Sequence, residues 1–345
     1  MRLPSRTRRP GGRIAVAATL LLLVAACSSA TVTSGPTAPP SGGTGTSTSA
    51  PTAMSSPTAS ATAGATSPGA VPKPGQGDVT IVAAGDIACD PASNVGAPQA
   101  CDQAATANEI GRLAPTAVLT LGDDQYQNGT PTAFNSVFAA TWGKYRSIMH
   151  PAIGNHEYLT NGAAGYFGYF GVPAYYSFNL GAWHMIALDS ECQYVGGCQA
   201  GSPQERWLLA DLAAHPSTCT LVYWHEPRWS SGETGDATQM APIWADLVSA
   251  HVSIVLSGHN HDYERFVPLG AGGQPDPAGV TEFVVGTGGR KHFPFTQPAL
   301  PGEVVRNDTS FGVILMTLAP TSYSWNFVPA PSYTFTDSGS AGCVG

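Results

Sequence analysis

The sequence predicts an α/β domain over residues 77–345, and three observations carry that reading. From Asp78 onward, short apolar runs alternate with helical patterns, the signature of strands interleaved with helices. Five of the runs end at a polar cluster, which is where open α/β sheets build their sites. The segment is also long enough for one large domain with a sizeable core. No internal repeat is visible.

The elements follow in order. Residues 79–84 (VTIVAA) read as a strand, followed by a loop and a helix over 104–113. Residues 117–121 form a second strand, and 132–142 read as helical. A short strand at 149–153 leads into Gly154-Asn155-His156-Glu157. Residues 176–179 and 184–188 read as a hairpin. A helix over 203–215 places apolar side chains at Trp207, Leu208, Leu212 and Ala213. Residues 220–224 are strand, 241–250 helix and 252–257 strand. Three further β runs lie at 282–285, 313–317 and 323–328.

The strand ends carry the chemistry. Asp86, Asp123, Asn155, His225 and the pair His259 and His261 each stand just after a predicted strand, so five ends can converge on one point. With Tyr126 they offer hard oxygen and imidazole nitrogen donors, suited to Fe, Mn, Zn or Mg. Gly85, Gly122, Gly154 and Gly258 stand immediately before candidate ligands, where the chain must turn sharply and approach closely. Each feature alone is weak, since a Gly-Asp pair after a strand is more often a turn. The set is what points to a metal centre.

Gly85-Asp86, Gly122-Asp123-Asp124-Gln125-Tyr126, Gly154-Asn155-His156-Glu157, Val222-Tyr223-Trp224-His225 and Gly258-His259-Asn260-His261-Asp262-Tyr263-Glu264-Arg265 occur in that order. Through them the chain resembles the calcineurin-like metallophosphoesterases, and its GDxxY and GHxHxYER forms resemble the purple acid phosphatase branch. The resemblance implies two mixed β-sheets packed as a sandwich and flanked by helices, four layers in all. It implies a first metal among Asp86, Asp123, Tyr126 and His261. Asp123 would bridge to a second metal completed by Asn155, His225 and His259. A tyrosine in that family binds Fe(III), so Tyr126 implies iron in the first site, with Fe(II), Zn or Mn in the second. Two such cations polarise a phosphoryl group and generate the hydroxide that attacks it. By the same resemblance His156 is the catalytic residue, binding phosphate or protonating the leaving oxygen, with Glu157 orienting it.

The implied activity is hydrolysis of phosphate monoesters on a small substrate. The pattern thins after His225, where Glu226 to Glu233 contain no histidine, although the purple acid phosphatases usually carry more. A phosphodiesterase or nucleotide pyrophosphatase on the same metals is therefore the alternative, and a non-catalytic metal-binding surface protein is a third reading. Arg228 and Trp229 are candidates for the substrate groove or for packing. Asp124 reads as a turn residue or a support for Asp123, and Glu264 with Arg265 as a structural ion pair. His184 reads as core and His292 as a neighbour of the site. His150, His215 and His251 read as surface or packing residues.

The chain opens with an export signal. Arg2, Arg6, Arg8, Arg9 and Arg13 form a basic start without an acid, and residues 14–26 are mostly apolar. A helix over those residues rises about 20 Å, short of the roughly 30 Å hydrocarbon core of a bilayer. Val24-Ala25-Ala26-Cys27 resembles a bacterial lipobox, which implies lipid on Cys27 and attachment to the outer face of the cell membrane. An ordinary signal peptide cut nearby is the alternative. Residues 27–76 are Ser, Thr, Pro, Ala and Gly-rich with Lys73 as the sole charge, a composition that predicts a disordered tether. Loss of the signal's five arginines moves the formal charge from −8 to −13, which argues against nucleic-acid binding. With Cys27 set aside, an even six cysteines remain, which favours disulfides in an exported protein. Short loops suggest Cys89–Cys101 and Cys192–Cys198, leaving Cys219–Cys343.

Overall fold

The computed structural model describes residue 75, residues 77–89 and residues 101–344; the signal, Cys27 and the tether apart from residue 75 fall outside those residues. In chain order the elements are β1 (Val79–Ala84), α1 (Gln103–Leu113), β2 (Ala117–Leu121), α2 (Pro131–Ala133), β3 (Met149–Ala152) and α3 (Ala164–Phe170). Then come β4 (Tyr176–Leu180), β5 (Trp183–Ala187), α4 (Pro203–Ala214), β6 (Thr220–Tyr223), α5 (Ala241–Ser249) and β7 (Ile254–Ser257). The chain closes with β8 (Tyr263–Phe266), β9 (Thr281–Val285), β10 (Glu303–Asn307), β11 (Gly312–Ala319), β12 (Ser322–Pro329) and β13 (Ser338–Gly342).

Two mixed sheets result. One runs β13-β12-β11-β1-β2-β3, the other β10-β8-β9-β7-β6-β5-β4. Alternation along the strands explains how they pack. On β5, Met185 and Ala187 join the core shared by both sheets, while Ile186 joins a second cluster beneath the helices. Tyr223 and Val222 of β6 divide the same way, as do Leu256 and Val255 of β7. The outer cluster takes Leu208 from α4 and Ile243, Trp244 and Leu247 from α5. Ala107 and Ile110 of α1 pack with the inner cluster from the side of the first sheet. Helices therefore flank the paired sheets, as the sequence implies. Trp142, Trp183, Trp224 and Trp244 are fully buried. At about 200 Å² each, every indole removes roughly 5 kcal/mol worth of apolar surface from water.

Local signals explain the helix ends. Ser202 caps α4 by accepting the Glu205 N–H at 3.3 Å, and Pro203 fills the first helical position. The predicted helix over 132–142 is broken into α2, a widened turn at Phe134–Phe138 and a tight turn at Trp142–Ile148. The widened turn sets both Phe134 and Phe138 against Tyr169 and Phe170. The three disulfides pair as the spacing suggests: Cys89–Cys101, Cys192–Cys198 and Cys219–Cys343. The last ties the entrance of β6 to the residue after β13.

Candidate metal centre

The site lies where the parallel strands of both sheets end. β1, β2 and β3 run parallel, as do β5, β6, β7 and β9. The Gly85 N–H donates to Val285 O at 2.9 Å, which sews the end of β1 to the end of β9 and brings both sheets to one rim. Further backbone bonds lace the loops together. Asp86 N–H reaches Gly122 O at 3.1 Å, Gly258 N–H reaches His225 O at 2.9 Å, and Arg290 N–H reaches Asp86 O at 2.7 Å.

The backbone at the site is strained. Asp86, Asp123 and His259 adopt φ of 59°, 50° and 67°, a left-handed conformation that costs a non-glycine residue about 1–3 kcal/mol. Gly122 has φ 83°, and a Cβ there would stand 2.5 Å from the His225 ring. A Cβ on Gly154 would stand 2.4 Å from both the backbone N and the Oδ1 of Asp123. Glycine is required at both positions because a side chain of the centre occupies the space.

The seven side chains form two clusters around Asp123. In the first, Tyr126 Oη lies 2.7 Å from Asp86 Oδ1 and 3.0 Å from His261 Nε2, and the latter two atoms are 3.2 Å apart. In the second, His225 Nε2 lies 3.0 Å from Asn155 Oδ1, 3.1 Å from His259 Nδ1 and 3.4 Å from Asp123 Oδ1. The clusters touch where the His259 N–H donates to Asp86 Oδ2 at 2.7 Å. Bonds of about 2.1 Å to one cation place neighbouring ligands about 3.0–3.4 Å apart, so each cluster has the dimensions of a coordination shell.

The donor chemistry fits cations. His225 Nδ1 donates to Leu121 O at 2.8 Å and His261 Nδ1 to Lys291 O at 2.6 Å, so both rings turn Nε2 into the centre. Burial holds His259 down at about 4, so it stays neutral and able to ligate. Burial would lower His225, but the Asp123 carboxylate overrides it and holds the imidazole well above its ordinary value. Asp123 is correspondingly held well below the carboxylate range: burial opposes this, and His225 prevails. The pocket thus calls for positive charge. Burial, with Asp123 and Asp86 beside it, keeps the Tyr126 phenol protonated well above its usual range. Only a strongly acidic cation would make that oxygen a phenolate.

His156 stands at the mouth of the centre, partly exposed, with its ring 4.4 Å from that of Tyr126 and Nε2 3.7 Å from Asp123 Oδ2. Its Nδ1 donates to Gln127 O at 2.6 Å. Glu157 does not orient it. That buried carboxylate accepts the N–H groups of Asp123, Gln125 and Gly154 at 3.0, 3.1 and 2.9 Å, so it clamps two ligand loops together. Burial, aided by Asp123 and Asp124, pushes the Glu157 carboxyl up, and the N–H bonds oppose the rise. Sequence reasoning missed this clamp because its partners are backbone atoms.

Other expectations resolve as follows. Asp124 is buried beneath the centre, and burial pushes it up to about 8. Arg228 and Trp229 pack away from the site: their N–H groups donate to Glu282, and Trp229 lies against Trp244. Glu264 and Arg265 do not pair, because adjacent residues of β8 face opposite ways. Glu264 accepts from the Ser231 N–H at 2.8 Å, while Arg265 forks onto Asp337 at 2.7 and 3.0 Å. His292 donates to His261 O at 2.7 Å and stacks on Phe311, supporting the loop that carries the candidate ligand His261. His150 stacks on Phe178. His184 is buried, as read, but beside His215 rather than alone.

A family model described as calcineurin-like phosphoesterase matches residues 79–263. Purple acid phosphatase 22 of Arabidopsis thaliana is 33% identical over 147 residues, which are 40% of this chain and 32% of that protein. An uncharacterised protein of Mycobacterium tuberculosis is 31% identical over 214 residues, 51% of this chain and 39% of its own length. The chain therefore spans only about a third of the first of these relatives and two fifths of the second. A purple acid phosphatase from yellow lupin (Lupinus luteus) seeds superposes with a TM-score of 0.65 at 19% identity, over 76% of this chain and 53% of that one, a likeness of fold.

Proposed function

The chain belongs to the calcineurin-like phosphoesterase family, and from that premise we propose that it hydrolyses phosphate monoesters at a centre of two cations. Asp86, Tyr126 and His261 would hold the first cation and Asn155, His225 and His259 the second, with Asp123 shared by the two clusters. Iron(III) at Tyr126 suits the phenol oxygen, with iron(II), zinc or manganese in the second position. When bound, the two cations polarise the phosphoryl oxygens and lower the pKa of the attacking water. The observation that carries the proposal is the pair of clusters with inward-facing imidazole nitrogens and the buried Asp123 carboxylate between them.

The chain's own groups do the rest. Leu121 O and Lys291 O fix the His225 and His261 tautomers. Gln127 O fixes His156, which leaves Nε2 turned toward the centre to bind phosphate or to carry a proton to the leaving oxygen. His156→Ala should lower kcat on p-nitrophenyl phosphate by about 10²–10⁴-fold while cation content stays unchanged. Exclusive turnover of bis-p-nitrophenyl phosphate would replace the monoester reading with the diester one. The residues after His225, which lack histidine, are the feature that favours this alternative. No turnover of either substrate by cation-loaded protein would overturn both.

The protein acts outside the cytoplasm, tethered by lipid on Cys27. The basic and apolar start, the Val24-Ala25-Ala26-Cys27 run and three disulfides support this, because disulfides persist in oxidising compartments. Cys27→Ser should release the protein from membranes into the medium. Retention of the variant with the membrane fraction would contradict the anchor.

A further inference from the structure

We infer that the chain carries a further divalent-cation site, built from His184, Asp211 and His215 at the far end of the second sheet. His184 pairs with Thr220 at the start of the parallel strands, whereas His225 follows their end. Five residues at about 3.3 Å each put the two sites roughly 16 Å apart along the sheet. The three residues therefore share nothing with the phosphoesterase centre.

One donor atom from each residue lies within 4.8 Å of the other two. His184 Nε2 is 2.8 Å from Asp211 Oδ2, and His215 Nδ1 is 3.1 Å from Asp211 Oδ1 and donates to the Asp211 carbonyl oxygen at 2.9 Å, which leaves its Nε2 as the nitrogen to ligate. The two imidazoles stack at 4.8 Å with an interplanar angle of 19°. Asp211 and His215 are four residues apart at the end of α4, a spacing that puts both on one helical face, and β5 supplies the third donor.

The surroundings prepare these donors. Asn179 Oδ1 lies 2.9 Å from His184 Nδ1, and an amide oxygen can only accept, so the ring proton sits on Nδ1. Nε2 then faces the Asp211 carboxylate at 2.8 Å, so a nitrogen donor and an oxygen donor stand side by side. Ser177 Oγ donates to Asp211 Oδ1 at 2.8 Å and fixes the carboxylate, the outer support that ligating carboxylates ordinarily have.

Two imidazoles and one carboxylate select a borderline cation of the zinc, cobalt or nickel class and leave a position for water. His215 is 45% exposed, and with Asn179, Trp183 and Ser217 it lines an open cleft of about 380 Å³ beside the cluster. The ion would clamp the end of α4 to the β4–β5 hairpin, three segments otherwise joined there by hydrogen bonds.

The test counts zinc. Full-length protein, with its phosphoesterase centre loaded, is titrated with Zn²⁺ by calorimetry and its metal counted after gel filtration. Wild type should hold one equivalent more than Asp211→Asn or His215→Ala, with equal p-nitrophenyl phosphate turnover in all three. Equal zinc content in wild type and His215→Ala would overturn the inference. His215 is partly exposed, so that variant decides the matter even where Asp211→Asn folds poorly. The difference of one equivalent reads this site alone, whether or not the phosphoesterase centre behaves as proposed.

Discussion

Replacing Glu157 probes the clamp beneath the centre. Its carboxylate takes three buried N–H groups, from Asp123 at 3.0 Å, Gln125 at 3.1 Å and Gly154 at 2.9 Å. All three precede or carry proposed ligands, so the side chain sets the distance between the Asp123 and Asn155 loops. Truncation in Glu157→Ala orphans all three donors at about 1–3 kcal/mol each. The sum of about 3–9 kcal/mol rivals the whole stability of an ordinary domain, about 5–15 kcal/mol. Glu157→Gln is the sharper test. Its single amide oxygen can replace Oε2, which keeps the Asp123 and Gly154 bonds, while its NH₂ faces the Gln125 N–H. The expected loss is about 1–3 kcal/mol in urea unfolding, together with a roughly 10–100-fold weaker affinity for the catalytic cations. A Glu157→Gln protein with wild-type urea midpoint and wild-type cation affinity would refute the clamp.

Other perturbations follow from the same geometry. Gly154→Ala drives a Cβ to 2.4 Å from Asp123 and should cut turnover at least tenfold, whereas Gly168→Ala in α3 meets nothing within 4 Å and should gain about 0.5–1 kcal/mol. Thermal unfolding and p-nitrophenyl phosphate assays of both variants check this pair. Removing Cys219–Cys343, whose partners are 124 residues apart, should cost about 5 kcal/mol of stability, against about 2 kcal/mol for Cys192–Cys198 with a separation of 6. Urea unfolding of double alanine variants measures the difference, and equal losses would contradict the loop argument. Burial, with Glu191 close by, raises Glu226 from 4.5 to about 7. The group therefore contributes stability below pH 4.5 that is lost as pH rises through about 7, worth up to about 3 kcal/mol at roughly 1.4 kcal/mol per pH unit. Metal-free wild type should lose stability between pH 5 and pH 8 relative to Glu226→Gln, and parallel pH curves would exclude the effect.

What was legible in the sequence was what chemistry restricts to a few residue types. Metal coordination needs carboxylates, imidazoles and amide oxygens, and a glycine must stand where a ligand crowds the backbone, so Asp86, Asp123, Asn155, His225, His259 and His261 stood out beside Gly122 and Gly154. Buried strands such as β1 and β2 matched to the residue because their apolar runs end at Gly85 and Gly122. Three strands escaped. β8 lies inside the Tyr263-Glu264-Arg265 motif, where charged residues hide the pattern; β10 is half-exposed; and β13, Ser338–Gly342, has no apolar period. The supports escaped too. Leu121 O, Lys291 O and Gln127 O act through the backbone, which any residue supplies. Arg265 finds Asp337 across 72 residues, and His184 finds Asp211 only because α4 lies against β5. Such partners follow from packing, which one sequence does not display.

Anomalous X-ray diffraction from crystals of the cation-loaded protein tests the central claim most directly. Two peaks are expected on either side of the Asp123 carboxylate, one bounded by Asp86, Tyr126 and His261 and the other by Asn155, His225 and His259. A map with no anomalous density among those seven side chains, from protein that still hydrolyses p-nitrophenyl phosphate, would contradict it.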